Sequence, residues 1–232
     1  MKYGVIIAAR MGSRRLPGKA LLTLKGLPMI VFLIRRLLGT KLADGIFLAT
    51  TNLAEDDILA AVVSAEGIKV FRGKRDDLVQ RYVDAAEKFG IEYVVRVTGD
   101  CPFVNAESLD YCLKKCEEWG DFDLASTKGE FPVGIDFEIY NHLQMRKLCR
   151  NKTLSLKDRE HLTLYFHRNR NRFNVKKIVP KKRWIHREST FTVDTPDDYM
   201  RAEELAEHLL RDDFSIEELI VLADAWTINK SM

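Results

Sequence analysis

Several marks of other protein classes are missing from this chain. Only 4 cysteines occur in 232 residues. Cys112 and Cys116 lie four apart on an expected helix, but no further Cys or His follows at ligand spacing, so a metal cluster is not indicated. Reduced, packed thiols are expected instead, in keeping with a cytoplasmic location. The net charge is only +3, far short of the cationic surplus of a nucleic-acid binder, so any phosphate chemistry must be local. No run approaches the roughly 18 uncharged apolar residues that a membrane span requires. The first strand-like run starts at Tyr3, which leaves no room for a signal peptide.

What is present suits a folded enzyme-sized unit. Hydrophobic residues make up 46% and charged residues 31%, a globular balance with enough apolar material for a core. The expected organisation is one domain over 1–232: a first half to about 119, a second to about 200, then C-terminal helices. No repeat, low-complexity tract or linker interrupts it.

Tyr3 to Ala9 is a short β-branched run, read as a buried strand. Pro28 suits the first turn of a helix whose apolar stripe is Ile30, Leu33, Ile34, Leu37 and Leu38, ending near Gly39. Strand and helix signals then alternate: Gly45 to Thr50, Glu55 to Glu66, Lys69 to Phe71, Leu78 to Phe89, Tyr93 to Val97, Ser108 to Trp119. Such alternation predicts an α/β fold with a mostly parallel sheet and helices on both faces. Beyond Gly120 it breaks down. Strand-like runs at Ile135 to Tyr140 and Thr190 to Val193 flank a polar helical stretch from Lys157 to about Asn171. Helices at Pro196 to Leu209 and Ser215 to Ala225 close the chain.

The densest chemistry follows the first strand, in Arg10-Met11-Gly12-Ser13-Arg14-Arg15-Leu16-Pro17-Gly18-Lys19. In open α/β sheets ligands bind beyond the carboxyl ends of strands, where this loop must sit. Glycines let backbone N–H groups approach phosphate oxygens, and Arg and Lys add charge-assisted hydrogen bonds. The loop suits a polyphosphate, although a solvated basic turn would have the same composition. It is not a Walker A loop: five residues separate Gly12 from Gly18, and Ala20 stands where a magnesium-binding Ser or Thr is required. The strand at Tyr93 runs into Thr98-Gly99-Asp100-Cys101-Pro102, placing Asp100 at a strand's carboxyl end. There it could hold a hard cation or be a plain turn residue.

The segment IIAARMGSRRLPGKAL resembles the opening of the cytidylyltransferase superfamily, which includes the 3-deoxy-manno-octulosonate and acylneuraminate enzymes. Its likeness is greatest to the spore coat polysaccharide biosynthesis protein F branch. RVTGDCP resembles the family's V-x-G-D-x-P, and FTVDTPDD its VDTPED. FRGKRDDLVQRY, FPVGIDFEIY and Asp158-Arg159-Glu160-His161-Leu162-Thr163 resemble further segments, in the same order, across nearly the whole chain.

The resemblance implies a glycosyltransferase-A-like, Rossmann-related fold, CTP as substrate, Mg2+ as cofactor and a homodimer. It makes Ala8, Ala9, Arg10, Gly12, Ser13, Arg15, Lys19 and Thr98 nucleotide contacts. Among these, Arg10, Arg15 and Lys19 serve catalysis together with Asp100, and Asp100 and Asp194 hold metal. Departures weaken base selectivity first. Thr98 replaces a Gln of the octulosonate and neuraminate enzymes, Arg75-Asp76-Asp77-Leu78 replaces their SGT-type cytosine segment, and Ala8 replaces a Gln of the spore coat branch. Arg81 could reach base or ribose, while Asp76 and Asp77 could equally be helix caps.

In the irregular half, Asp136, Glu138, Arg159 and His161 are expected acceptor contacts on exposed segments. Asp136 and Glu138 should face the same way on a strand. Arg159 could pair with an acidic acceptor or, structurally, with one of those two acids. The other histidines show no catalytic pattern, and no Ser–His–Asp or Cys–His arrangement predicts a covalent intermediate. The resulting expectation is a cytidylyltransferase acting on a small sugar-like acceptor for surface polysaccharide or glycoconjugate synthesis, with no nucleic-acid or membrane partner. Two rivals stand beside it. One is a nucleotidyltransferase with another nucleotide or a phosphonate, polyol or amino-acid acceptor; the other is a nucleotide-binding regulator without turnover.

Overall fold

The structure, a computed structural model, describes residues 1–150, 154–186, 190–209 and 213–230. Strand β1 (Tyr3–Ala8) is buried almost throughout, as an apolar run without polar alternation should be. A small hairpin, β2 (Thr23–Leu24) and β3 (Leu27–Pro28), leads into α1 (Met29–Leu37). Then come β4 (Gly45–Thr51), α2 (Asp57–Ala65), β5 (Lys69–Gly73), α3 (Leu78–Phe89), β6 (Tyr93–Thr98) and α4 (Ala106–Trp119). The second half contains β7 (Leu124–Ser126), β8 (Glu138–Asn141), α5 (His142–Arg150), α6 (Leu156–Glu160), α7 (Leu164–Arg168) and β9 (Val175–Lys177). Helices α8 (Pro196–His208) and α9 (Ile216–Lys230) complete the chain. None of the described helices is long and apolar enough to cross a membrane.

One seven-stranded sheet has the order β5-β4-β1-β6-β8-β7-β9. Only β8 runs against its neighbours β6 and β7; the other pairings are parallel. Helices cover both faces, so neighbouring side chains of β1 enter different cores. Val5 and Ile7 join the cluster with α1, α4, α8 and α9, while Ile6 joins the one with α3 and α5. All 4 cysteines are free and buried, as packed thiols should be.

Register places the site. Ala8 of β1 stands opposite Thr98 of β6, so the basic loop and the Asp100 loop leave the sheet side by side. Gly99 makes that possible. Its N–H donates to Ala8 O at 2.8 Å, and a Cβ there would lie 2.7 Å from the Cβ of Ala9.

Three expectations are corrected. Thr190 to Val193 is extended but is no strand: Phe191 N–H donates to Val133 O at 2.7 Å and Val193 N–H to Asp100 O at 2.8 Å. Its backbone is shared between two loops instead of forming one ladder. Gly134, at φ 88°, lets this segment pass, since a Cβ would lie 2.4 Å from its backbone. The run from Ile135 therefore becomes strand only at Glu138, and Asp136 precedes the strand it was expected to share. The stretch from Lys157 breaks into the two short helices α6 and α7, separated at His161 to Thr163. Strands β7 and β9 are too short, at 3 residues each, for alternation to reveal them.

Candidate active site

The basic loop folds around Met11, whose carbonyl accepts the N–H groups of Ser13 and Gly18 at 2.8 and 2.9 Å. Ser13 Oγ accepts from Leu16 N at 3.4 Å. Arg10, Arg14 and Arg15 are exposed, an orientation that leaves their cations available to an anionic ligand. Arg15 reaches Asp194 at 2.9 Å.

Lys19 lies at the centre of the site. Its Nζ donates to Asp100 Oδ2 at 2.9 Å, Asp194 Oδ1 at 2.9 Å and Val193 O at 2.8 Å. The two carboxylates, 94 residues apart in sequence (194 − 100), thus converge on one ammonium nitrogen. Burial pushes the Asp100 carboxyl up, but the Lys19 charge and hydrogen bonds from Lys19 and Thr98 outweigh it and hold the group below its ordinary range. Asp100 is therefore an anion, ready for a cation.

The arrangement fits a divalent metal. A position already held by a cation between carboxylate oxygens offers the hard donors Mg2+ prefers, and Mg2+ sites often use one or two carboxylates plus substrate phosphates. No cluster of three or more acidic, Cys or His ligands occurs among the described residues, so the remaining ligands would come from nucleotide and water.

Beside the loop, Asn52, Leu53 and residues 74–77 line a hollow beyond β4 and β5. Its walls are tied by arginines. Arg72 donates to Thr51 O and Leu53 O at 2.9 and 2.8 Å. Arg81, expected to reach base or ribose, is buried and donates to Lys74 O and Arg75 O at 2.9 and 3.3 Å. It shapes the 74–77 wall from behind. Asp77 caps α3 through Gln80 N at 2.9 Å, whereas Asp76 is almost fully exposed. Thr98 sits next to Cys101, Oγ1 to Sγ 3.1 Å.

The acceptor candidates do not gather in one place. Asp136 is half-buried, its Oδ1 accepting from Gly134 N at 2.9 Å, and burial raises its carboxyl despite that hydrogen bond and the Lys128 charge. Glu138, expected on an exposed segment, is 1% exposed. Its oxygens meet Arg96 at 3.1 Å, Lys128 at 3.2 Å, His167 Nε2 at 2.6 Å, Ser126 Oγ at 3.3 Å and the Thr163 hydroxyl. Burial would raise its pKa, but the His167 hydrogen bond, the Lys128 and Arg96 charges and the Thr163 hydrogen bond bring it to about 2. An ionised Glu138 can only accept, so His167 donates. Arg159 pairs with Asp77 at 2.6 Å, neither of the acids expected, and His161 is exposed. Sequence reasoning missed Lys128 and His167. Arg96 carried a signal, a single cation within the apolar strand YVVRVT, and Thr163 ends the REH-x-T segment.

Comparison with known proteins bears on this geometry. A family model described as cytidylyltransferase matches residues 4–221. The spore coat polysaccharide biosynthesis protein SpsF of Bacillus subtilis is 32% identical over 223 residues, 94% of this chain and 92% of that protein. The 8-amino-3,8-dideoxy-manno-octulosonate cytidylyltransferase of Shewanella frigidimarina is 30% identical over 176 residues, 73% of this chain and 66% of that protein. A cytidylyltransferase structure from Leptospira borgpetersenii superposes with a TM-score of 0.89 at 30% identity, covering 100% of this chain and 96% of that one.

Proposed function

We propose, for a chain that belongs to the cytidylyltransferase family, that it transfers CMP from CTP to a hydroxyl of a sugar-like acceptor destined for surface polysaccharide. The observation that carries this reading is Lys19 Nζ held between Asp100 and Asp194 beside a glycine-containing basic loop. One place then offers carboxylates for a cation and cations for a polyphosphate.

The acceptor hydroxyl gives its proton to solvent as its oxygen attacks the α-phosphorus, the bond from that phosphorus to the β-bridging oxygen breaks, and pyrophosphate leaves. The protein's work is positioning and charge neutralisation. Arg10, Arg15 and Lys19, with Gly12 and Ser13, hold the departing phosphates; Ala8, Ala9 and Thr98 border the nucleotide at the strand ends. Asp100 and Asp194 would hold magnesium, which supplies charge neutralisation at the α-phosphate and a lowered pKa for the attacking hydroxyl. Lys19 and Arg15 then exchange carboxylate partners for phosphate ones. The 52–53 and 74–77 walls, braced by Arg81, surround the base.

On the acceptor side, Asp136, Arg159 and His161 remain candidate contacts. Glu138 contributes through Lys128 and His167, which favours an acceptor bearing an acidic group. A homodimer in the cytoplasm completes the reading.

The experiment is a pyrophosphate-release screen of four nucleoside triphosphates with Mg2+ against acidic, amino and neutral sugars. Release that requires CTP, Mg2+ and one acceptor class supports the proposal. Release with another nucleotide alone would move the chain to a different nucleotidyl transfer. Binding of CTP without turnover on any acceptor, phosphonates and polyols included, would favour a regulator.

A further inference from the structure

The basic loop is pinned through one residue. Met11 O accepts from Ser13 N and Gly18 N, so both ends of the stretch close on this residue. Its own N–H points the other way, donating to Asp56 Oδ1 at 2.7 Å. The second oxygen of Asp56 accepts from the Thr51 hydroxyl, and Thr51 is the last residue of β4. A continuous path therefore runs from the sheet through Thr51 and Asp56 to the residue on which the loop closes. By contrast, the amides of Gly12, Arg14 and Arg15 have no acceptor among the described residues, leaving them for phosphate oxygens.

Asp56 holds this position at a cost. It is 0% exposed, and the cation that acts on it, Arg81, does so through space without a direct ion pair. A buried carboxylate is expensive unless hydrogen bonds satisfy it. It closes the short helical turn Ala54–Asp56 that runs into α2, where its backbone, at φ −92° and ψ 1°, is not the extended one of a capping residue and its side chain makes no cap bond. The hydrogen bonds of the side chain go to the loop and to β4. Packing alone would be served by an apolar residue.

We infer that Asp56 is a positioning residue for the triphosphate: it fixes Met11, and through Met11 the amides and cations that meet the β- and γ-phosphates. This rests on the CTP reading above. The test is calorimetric titration of wild type, Asp56→Ala, Asp56→Asn and Thr51→Val with CTP, inorganic pyrophosphate and CMP, in Mg2+ without acceptor. Asp56→Ala should weaken CTP and pyrophosphate by at least about tenfold, the scale of one charged hydrogen bond, and CMP by less than about threefold. Asp56→Asn keeps an Oδ1 acceptor for Met11 and should stay within about threefold of wild type for every ligand. Thr51→Val should show the same selectivity at smaller size, and it stands in if Asp56→Ala does not fold. Equal losses for CMP and CTP, or unchanged pyrophosphate binding in both variants, would overturn the inference. If the wild type binds neither CTP nor pyrophosphate, the CTP reading itself is wrong. Amide exchange at Met11 then judges the strut separately: faster in Asp56→Ala if Asp56 holds the loop, unchanged if it does not.

Discussion

At Lys19 a single ammonium satisfies two carboxylates and a backbone carbonyl. On the proposed reading a metal would compete with this side chain for the same oxygens until phosphate oxygens gave the lysine another partner. Lys19→Met should bind bare Mn2+ more tightly than wild type without nucleotide, read by electron paramagnetic resonance. The same variant should lose roughly 2–3 kcal/mol of CTP affinity, since it removes a charge-assisted contact. Tighter CTP binding in Lys19→Met would show that the lysine never leaves the acids. Asp100→Asn keeps shape but removes charge, and turnover should fall by at least about a hundredfold, as when one preorganised electrostatic group is lost.

Among the elements, the segment that enters α8 separates two acids with different duties. Thr195 and Asp198 form a capping box: Asp198 N–H donates to Thr195 Oγ1 at 3.2 Å and Asp198 Oδ2 accepts from Thr195 N at 3.0 Å. Asp198 also accepts from Asp194 N at 3.1 Å and pairs with Arg201 at 2.9 Å. Burial raises its carboxyl, but the Thr195 hydroxyl, the Asp194 and Thr195 amides and Arg201 hold it below the ordinary range. A depressed folded pKa stabilises above the unfolded value, and that contribution disappears as pH falls through the folded one. Asp198→Asn should thus lower Tm slightly, by about 0.5–1 kcal/mol of cap stability, with metal dependence unchanged. Asp194→Asn should do the opposite: Tm nearly constant, turnover crippled and the Mg2+ requirement shifted upward. Parallel behaviour of the two would remove Asp194 from the metal site.

Across the whole molecule, Glu138 joins the two halves. It lies on β8, receives Arg96 from β6, Lys128 from the loop after β7, and Thr163 and His167 from the α6–α7 region. Its carboxyl at about 2 against an ordinary 4.5 corresponds to on the order of 3 kcal/mol of stability. The sign follows from the depression: the contribution is complete above about pH 4.5 and is lost as pH falls toward 2. Acid unfolding followed by circular dichroism should be steep across that window. Glu138→Gln should be less stable at neutral pH by roughly 3 kcal/mol or more, because Arg96 and Lys128 lose their anion, and its acid limb should be shallower. An unchanged acid limb would mean that the cluster does not link the halves.

The parts readable from sequence are those governed by local periodicity. Apart from the hairpin β2–β3, whose strands have two residues each, the strands and helices from Tyr3 to Trp119 follow from apolar runs and helical stripes, which burial in a two-faced parallel sheet demands of any chain. The basic loop, and Asp100 at a strand's carboxyl end, could be placed because ligands in such sheets bind there. The capping box of Thr195 and Asp198 spans only four residues, yet that Asp198 reaches back to the Thr195 amide came from the structure. Contacts across long separations were decided only by the tertiary structure. Nothing local brings Asp194 and Asp100 to one nitrogen; that needed Val193 to bond the Asp100 loop and Gly134 to make room for the passing backbone. Arg81 could not be assigned to its loop carbonyls, nor Arg159 to Asp77, since a guanidinium's partner depends on which backbone and carboxylate oxygens the fold delivers. Glu138 was misjudged for the same reason. A carboxylate in an irregular segment reads as exposed until the Arg96 and Lys128 charges and the His167 and Thr163 donors that justify its burial arrive from elsewhere in the chain.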